Sequence, residues 1–237
     1  MKQLQIIVVA QELCWLGLKT SIKFRLNFLD LSMVYKNNNR VALVKRKTNE
    51  THIEVKIDLD GKGINSIDTG LPFFDHMIEQ LSKHSLINIE LRCKGDLQID
   101  SHHTMEDVGW ALGKAMNDAL GNKRGIKRYS FIYLPMDECL TRCCLDVSGR
   151  PWLIWNVFLP TLTIKNIETE IFREFFQSFS QAAGITLHIE NLYGKNTHHI
   201  VESCFKSLAI SLRNAIMIDP ENYNSIPSTK GTLSGST

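Results

Sequence analysis

Two short phrases in this chain have the composition of metal ligands. His102-His103-Thr104-Met105-Glu106 reads H-H-x-x-E, and His198-His199-Ile200-Val201-Glu202 reads H-H-x-x-E again 96 residues later. Four of the chain's eight histidines lie in these two pairs. Imidazole mixed with carboxylate suits Mn, Fe, Co or Zn, and the lack of thiolate in either phrase argues against a structural zinc cage. A single phrase of this kind can simply sit on a solvated helix face. Two copies with equal internal spacing point to a duplicated site.

On a helix, residues four apart share a face, while adjacent residues diverge by about 100°. His102 therefore points with Glu106, and His198 with Glu202. His103 and His199 point elsewhere. One doublet cannot wrap an ion with both histidines and the glutamate, but two facing doublets can build two sites. The expected sets are His102, Glu106 and His199 for one ion, and His198, Glu202 and His103 for the other. Each set wants a further ligand. His76 lies 26 residues before its doublet and Glu174 lies 24 before its own. His76 is thus expected at one site and Glu174 at the other, whereas His52, His84 and His188 are not read as ligands.

Anion-binding groups accompany these phrases. Arg124, Lys127 and Arg128 cluster after Gly121, and Arg150 follows Gly149. Lys206 lies one helical turn beyond Glu202, and Ser228-Thr229-Lys230 stand near the C-terminus. Hydroxyls, a lysine and arginines that converge would hold a phosphate.

The elements that must position these residues repeat. Val41–Lys45 and His52–Leu59 alternate as strands, and Asp60–Gly63 reads as a turn. A helix over Pro72–Lys83, a strand over Leu86–Leu91 and a turn at Gly95-Asp96 lead to Ser101, a natural N-cap for the first doublet helix. Strands are expected at Arg128–Leu134, Leu140–Val147 and Trp152–Leu159. A helix over Asn166–Ala183, a strand over Ile185–Glu190 and a turn at Gly194 then lead to the second doublet helix. The fold class is α/β of the α+β kind, with pseudo-duplicated halves at about 40–130 and 131–230, each a sheet packed on helices. Residues 1–39 stand apart as an extension with no assigned role, and 234–237 form a tail.

Bulk composition narrows the function. The chain has 237 residues, 43% hydrophobic and 22% charged, with a net charge of +2. Such a balance gives no case for nucleic acid as a partner. The run Ile6–Ala10 falls far short of the roughly 20 apolar residues that span a membrane, and it lacks the marks of a secretory signal. None of the six cysteines forms a C-x-x-C pair, so free thiols and a cytoplasmic location are expected.

At this point the residues resemble a known family. The blocks RKTNETHIEV, DTGLPFFDHM, KGDLQIDSHHTMEDVGWALG, RYSFIYLPMDECLTRCCLDVSGRP, TLHIENLYGKNTHHIVESCFKSLA and IPSTKGTL are similar to imidazoleglycerol-phosphate dehydratases, in order, from about Arg40 to Leu233. The resemblance implies a hydro-lyase of histidine biosynthesis. It would dehydrate imidazole glycerol phosphate to imidazole acetol phosphate through a di-manganese-bound imidazolate. It implies two Mn(II) ions per active site, self-association into a symmetric 24-mer shell with sites between subunits, and a small-molecule phosphate as the only other partner. Carried over residue by residue, the ligands are His76, His102, His103, Glu106, His198, His199 and Glu202. Many relatives have a histidine before a Phe-Phe pair, where this chain has Glu174. Glu50 matches a substrate-contacting acid/base residue. His84, Arg128, Arg150, Lys206, Ser228, Thr229 and Lys230 match substrate- and phosphate-binding positions. Some relatives carry an upstream phosphatase domain with an Asp-x-Asp-Gly-Thr motif. No such motif occurs in residues 1–39, so no phosphatase activity is expected.

Three other readings compete. A di-metal hydrolase would attack a phosphoester with metal-bound hydroxide. A ferritin-like store would use Glu-x-x-His on a four-helix bundle, a phrase absent here. An inactive structural module would bind metal only to assemble.

Overall fold

The structure, a computed structural model, describes residues 40–233. The extension over 1–39 and the tail over 234–237 lie outside the described residues. Period-two alternation builds the first strands. β1 (Val41–Lys47) and β2 (Thr51–Asp58) pair antiparallel, with Ile53, Val55 and Ile57 turned to the core and His52, Glu54 and Lys56 turned outward. Then come β3 (Asn65–Asp68), α1 (Pro72–Ser85), β4 (Asn88–Gly95) and α2 (His102–Leu120). The sheet order is β1-β2-β4-β3, with β3 parallel to β4.

The second half repeats the plan. It comprises β5 (Tyr129–Met136), β6 (Cys139–Asp146), β7 (Trp152–Asn156), β8 (Thr163–Ile164), β9 (Ile167–Glu168), α3 (Ile171–Ala183), β10 (Thr186–Tyr193) and α4 (Thr197–Ala215). Its main sheet has the order β5-β6-β10-β7, with β7 parallel to β10. Each parallel pair needs a crossover, which α1 supplies in one half and α3 in the other.

Three local expectations are corrected. The helix expected from Asn166 begins at Ile171, because β8 and β9 pair across a two-residue loop, Lys165-Asn166. Lys165 takes φ 51 there, the left-handed conformation that such tight loops use. The strand expected to reach Leu159 ends at Asn156, where pairing with β10 stops. Ser101 occupies the N-cap of α2 but makes no side-chain cap bond, its backbone being already helical at φ −92, ψ −5. Asp100 does that work instead, accepting from the His102 amide at 2.7 Å.

The halves exchange helices. α2 lies on β1, β2 and β4, and α4 on β5, β6 and β10. α1 covers β3 but packs sideways on α4 of the other half, and α3 covers β7 but packs on α2. The helices thereby fill the space between the two sheets. Phe74, Phe172, Phe175, Phe176, Phe179 and Phe205 meet there, all buried. Phe205 stacks on Phe175 at 5.0 Å between centroids, and Phe74 meets Phe175 edge-on at 5.3 Å. Such pairs are worth roughly 0.5–1.5 kcal/mol each beyond area burial.

α2 and α3 approach closely because α2 carries glycines on the facing stripe. A Cβ at Gly109 would lie 2.6 Å from the Phe175 carbonyl oxygen, and one at Gly113 would lie 2.4 Å from that of Phe179. Among the described cysteines, Cys93, Cys139, Cys143 and Cys204 are buried and Cys144 is half-buried, all free. Burial pushes the Cys93 and Cys143 thiols up to about 12. Cys14 lies outside the described residues.

Candidate metal centre

α1 opens with Pro72, whose fixed φ and missing N–H suit a first helical turn. Phe73, Phe74 and Met77 take its buried face and leave His76 on the rim. α4 opens behind Asn196, whose side chain accepts from the His198 amide at 3.0 Å. This cap sets His198 in the first turn and Glu202 one turn on. Because α1 packs against α4, His76, His198 and Glu202 converge, each offering a ligand atom within 4.8 Å of the others. Glu202 Oε2 stands 3.0 Å from His198 Nε2 and 3.9 Å from His76 Nε2. Phe73 meets the His198 ring edge-on at 5.1 Å and limits its rotation.

Glu202 is the buried member, its side chain only 7% exposed. Burial alone would raise its pKa. Lys206, whose Nζ lies 2.6 Å from Oε1, together with His198, more than offsets that and holds the carboxyl below its usual range. The group is therefore an ionised oxygen donor at neutral pH. Two imidazoles and one carboxylate in this arrangement fit a divalent transition metal.

The other helix pair brings the remaining expected ligands near one another without closing a cluster of that kind. His102 Nε2 lies 3.8 Å from Glu106 Oε2 on α2. Glu174, on α3, lines a cleft of about 470 Å³ with His102, Trp155, Phe158 and Arg173. Arg173 donates to Glu174 Oε1 at 2.8 Å. Among the described residues, His102, Glu106 and Glu174 do not draw together as His76, His198 and Glu202 do.

His103 and His199 do not join either cluster within the chain. His103 Nδ1 lies 3.0 Å from Asp96 Oδ2, and its Nε2 lies 3.7 Å from Glu50 Oε1. The bond to Asp96 raises the His103 pKa. His199 Nδ1 lies 2.7 Å from Glu138 Oε2, and its Nε2 lies 3.7 Å from Asp137 Oδ2. The mixed sets expected from spacing are thus not assembled inside one chain.

The expected anion groups fall into two gatherings. Arg128 holds Asp146 through Nε at 2.7 Å and donates from Nη1 to the Pro227 carbonyl at 2.8 Å. This ties the segment bearing Ser228, Thr229 and Lys230 to the end of β6. Arg150 reaches the same Asp146 at 3.9 Å. Lys206 and His84 form the second gathering beside Glu202. Burial, then the Lys206 charge, lower the His84 pKa. Arg124 turns aside to the Asn224 carbonyl at 2.5 Å.

Sequence reasoning missed Asp96, Asp137, Glu138 and Asp146. One signal was available. Glu50 sits at the turn between β1 and β2, immediately before Thr51, and Glu138 sits at the turn between β5 and β6, immediately before Cys139. Aligning the hairpins as well as the doublets pairs the two glutamates.

Comparison with known proteins fits this geometry. The profile named "Imidazoleglycerol-phosphate dehydratase" matches residues 69–212. The chain belongs to the imidazoleglycerol-phosphate dehydratase family. A dehydratase of that name from Rhodopseudomonas palustris is 55% identical over 196 residues, covering 83% of this chain and all of the relative. One from Sinorhizobium fredii is 53% identical over 195 residues, covering 82% of this chain and 96% of the relative. The crystal structure of the Staphylococcus aureus dehydratase superposes with a TM-score of 0.69 at 31% identity, over 76% of this chain and 99% of that one. The Pyrococcus furiosus structure gives 0.69 at 30% identity, over 80% and 100%. The matched region runs from Thr69, just before α1, into the last turn of α4, and so takes in all four helices.

Proposed function

We propose that this chain dehydrates D-erythro-imidazole glycerol phosphate to imidazole acetol phosphate, as a hydro-lyase of histidine biosynthesis. The observation that carries the reading is the His76, His198 and Glu202 cluster, built by helices of opposite halves in a chain that belongs to the dehydratase family. The donor set fits Mn(II). Two ions per active site would be held by His76, His198 and Glu202 at one position and by His102, Glu106 and Glu174 at the other, with His103 and His199 completing them. Bound there, the ions supply Lewis acidity that lets the substrate's imidazole ring carry negative charge as an imidazolate.

The chain's own groups do the rest. The carbon-bound proton to be removed is barely acidic, so a base must meet it in a fixed geometry. Glu50, on the hairpin turn beside His103, would take it. Arg128, Arg150, Ser228, Thr229 and Lys230 would bind the phosphate, with Lys206 and His84 orienting the substrate next to Glu202. Anchoring the far end of the substrate fixes the carbon in front of the base.

His103 and His199 cannot reach the clusters of their own chain, which favours completion of each site by a neighbouring copy, in a 24-mer shell. The free, mostly buried cysteines support a cytoplasmic setting.

The test is turnover of imidazole glycerol phosphate by metal-stripped protein, with and without added Mn(II). Activity that returns only with Mn(II) is expected. No activity under either condition, in protein that still binds Mn(II) and assembles, would overturn the dehydratase reading.

A further inference from the structure

The second histidine of each doublet is held the same way by a carboxylate from its own half. In the first half the acceptor is Asp96, on the loop between β4 and α2, 3.0 Å from His103 Nδ1 with its side chain only 12% exposed. In the second half it is Glu138, on the β5–β6 turn, 2.7 Å from His199 Nδ1. Glu138 is itself fixed, because its Oε1 accepts from the amides of Lys195 at 3.1 Å and Asn196 at 2.8 Å. Each Nδ1 lies within hydrogen-bond distance of a carboxylate oxygen, which takes the bond as acceptor, so in both pairs Nδ1 is the nitrogen that carries the proton. A neutral imidazole protonated at Nδ1 has its one free lone pair on Nε2. In both halves Nε2 faces a second acid of the hairpin turn, Glu50 or Asp137, at 3.7 Å.

The two acceptors come from non-equivalent places. Glu138 stands where Glu50 stands in the first half, yet Glu50 lies on the Nε2 side of its histidine and Glu138 on the Nδ1 side. The halves thus reach one histidine state by different residues.

We propose that Asp96 and Glu138 are a matched pair of positioning residues, which lock His103 and His199 as Nδ1–H tautomers and present Nε2 as the metal-binding nitrogen. The proposal rests on the reading of His103 and His199 as ligands. Neither carboxylate would touch metal or substrate. Each would act through its histidine, as carboxylates behind metal-ligating imidazoles commonly do.

Variants without the acceptor separate this role from a structural one. Glu138→Gln keeps a side-chain oxygen for the Lys195 and Asn196 amides but puts an NH2 where Nδ1–H needs an acceptor. Asp96 Oδ1 has no hydrogen-bond partner that would fix an asparagine's orientation, so at that position Asp96→Ala removes the acceptor of His103. The metal-stripped variants are titrated with Mn(II), following free ion by electron paramagnetic resonance, and with Co(II), following its visible absorption. A 10–100-fold loss of Mn(II) affinity and a changed Co(II) spectrum are expected, with the melting temperature of metal-free protein unmoved. Glu138→Asp and Asp96→Glu, which restore the acceptor, should recover much of the affinity. They also serve as the probe if Glu138→Gln or Asp96→Ala fails to fold.

Controls at the histidines keep the two readings apart. If His103→Gln and His199→Gln bind Mn(II) as tightly as wild type, the ligand reading itself fails. If those variants lose affinity while the folded Glu138→Gln and Asp96→Ala match wild type in affinity and spectrum, this inference alone is overturned.

Discussion

At the scale of single residues, four acids in this site have four environments. Glu50 is half-exposed on a turn, Glu202 is buried under Lys206, Glu174 is tethered by Arg173, and Glu138 is clamped between backbone amides and an imidazole. Of the four, Glu50 is the least tethered, as its proposed role as base requires. Glu50→Gln is accordingly expected to lower kcat by about 100-fold or more while leaving bound Mn(II) unchanged, read by steady-state turnover alongside metal analysis. If Glu174 ligates as proposed, the two half-sites have unequal chemistry, one richer in imidazole and one in carboxylate. Carboxylate suits Mn and Mg, whereas imidazole suits Zn and Co. Glu174→His should tighten binding of Co(II) at the second half-site, and a Co(II) titration should change from two phases toward one. His84 supplies a pH dependence. Its pKa is lowered from 6.5, so above that value both folded and unfolded chains hold it neutral. As pH falls through 6.5 the unfolded chain takes up a proton that the folded chain resists, and stability declines. Urea unfolding of metal-free protein should show this decline, and His84→Gln should flatten it. The gathering of His76, His198 and Glu202 was legible because a duplicated ligand phrase is rare and helical spacing decides which members share a face. Asp96 and Glu138 were not, since a lone acid on a loop reads as solvated surface until the fold brings an imidazole to it.

At the scale of elements, the site depends on how closely helices of opposite halves approach. Gly109 and Gly113 bring α2 within backbone contact of α3, whereas the corresponding stripe of α4 carries Phe205 and Ala209 against α1. The α2–α3 pair is therefore the less forgiving one. Gly113→Ala puts a methyl 2.4 Å from a backbone carbonyl that has no rotamer to yield. A loss of about 1–3 kcal/mol is expected, measured by chemical denaturation, with metal binding at the Glu174 half-site weakened more than at the other. Strand-period and helix-period signals predicted most of these elements because their faces are so unevenly apolar, as Ile53, Val55 and Ile57 show against His52, Glu54 and Lys56. The errors fall where periodicity carries little information. Lys165-Asn166 closes a hairpin too short to have a period, and Asn156 ends β7 only because its partner strand turns away. The exchange of helices was also invisible, since an apolar stripe states that it must be covered and not by which element.

At the scale of the whole molecule, the outer faces of the two sheets differ sharply. Cross-strand rows on the first are charged, such as Lys45, Glu54, Arg92 and Asp68. The central row on the second, Phe131, Cys144, His188 and Ile154, is largely aromatic or apolar. Phe131 is 75% exposed and Trp152 64%. Apolar patches of this kind mark interaction surfaces. If copies assemble as proposed, that face is the surface they would cover. Phe131→Glu is expected to shift sedimentation toward smaller species while leaving the secondary structure intact. The exchange of helices has a further consequence for how such a chain holds together. Each half leaves bare a helical face that only its counterpart covers, so the molecule is in effect a dimer of two unlike copies tied by the segment between α2 and β5. The tether replaces an encounter in solution by one at fixed, high local concentration. Joined in this way, the halves gain a stability that does not depend on dilution, and each copy is free to drift, as Gly109 has from Phe205 and His76 from Glu174, without losing its mate.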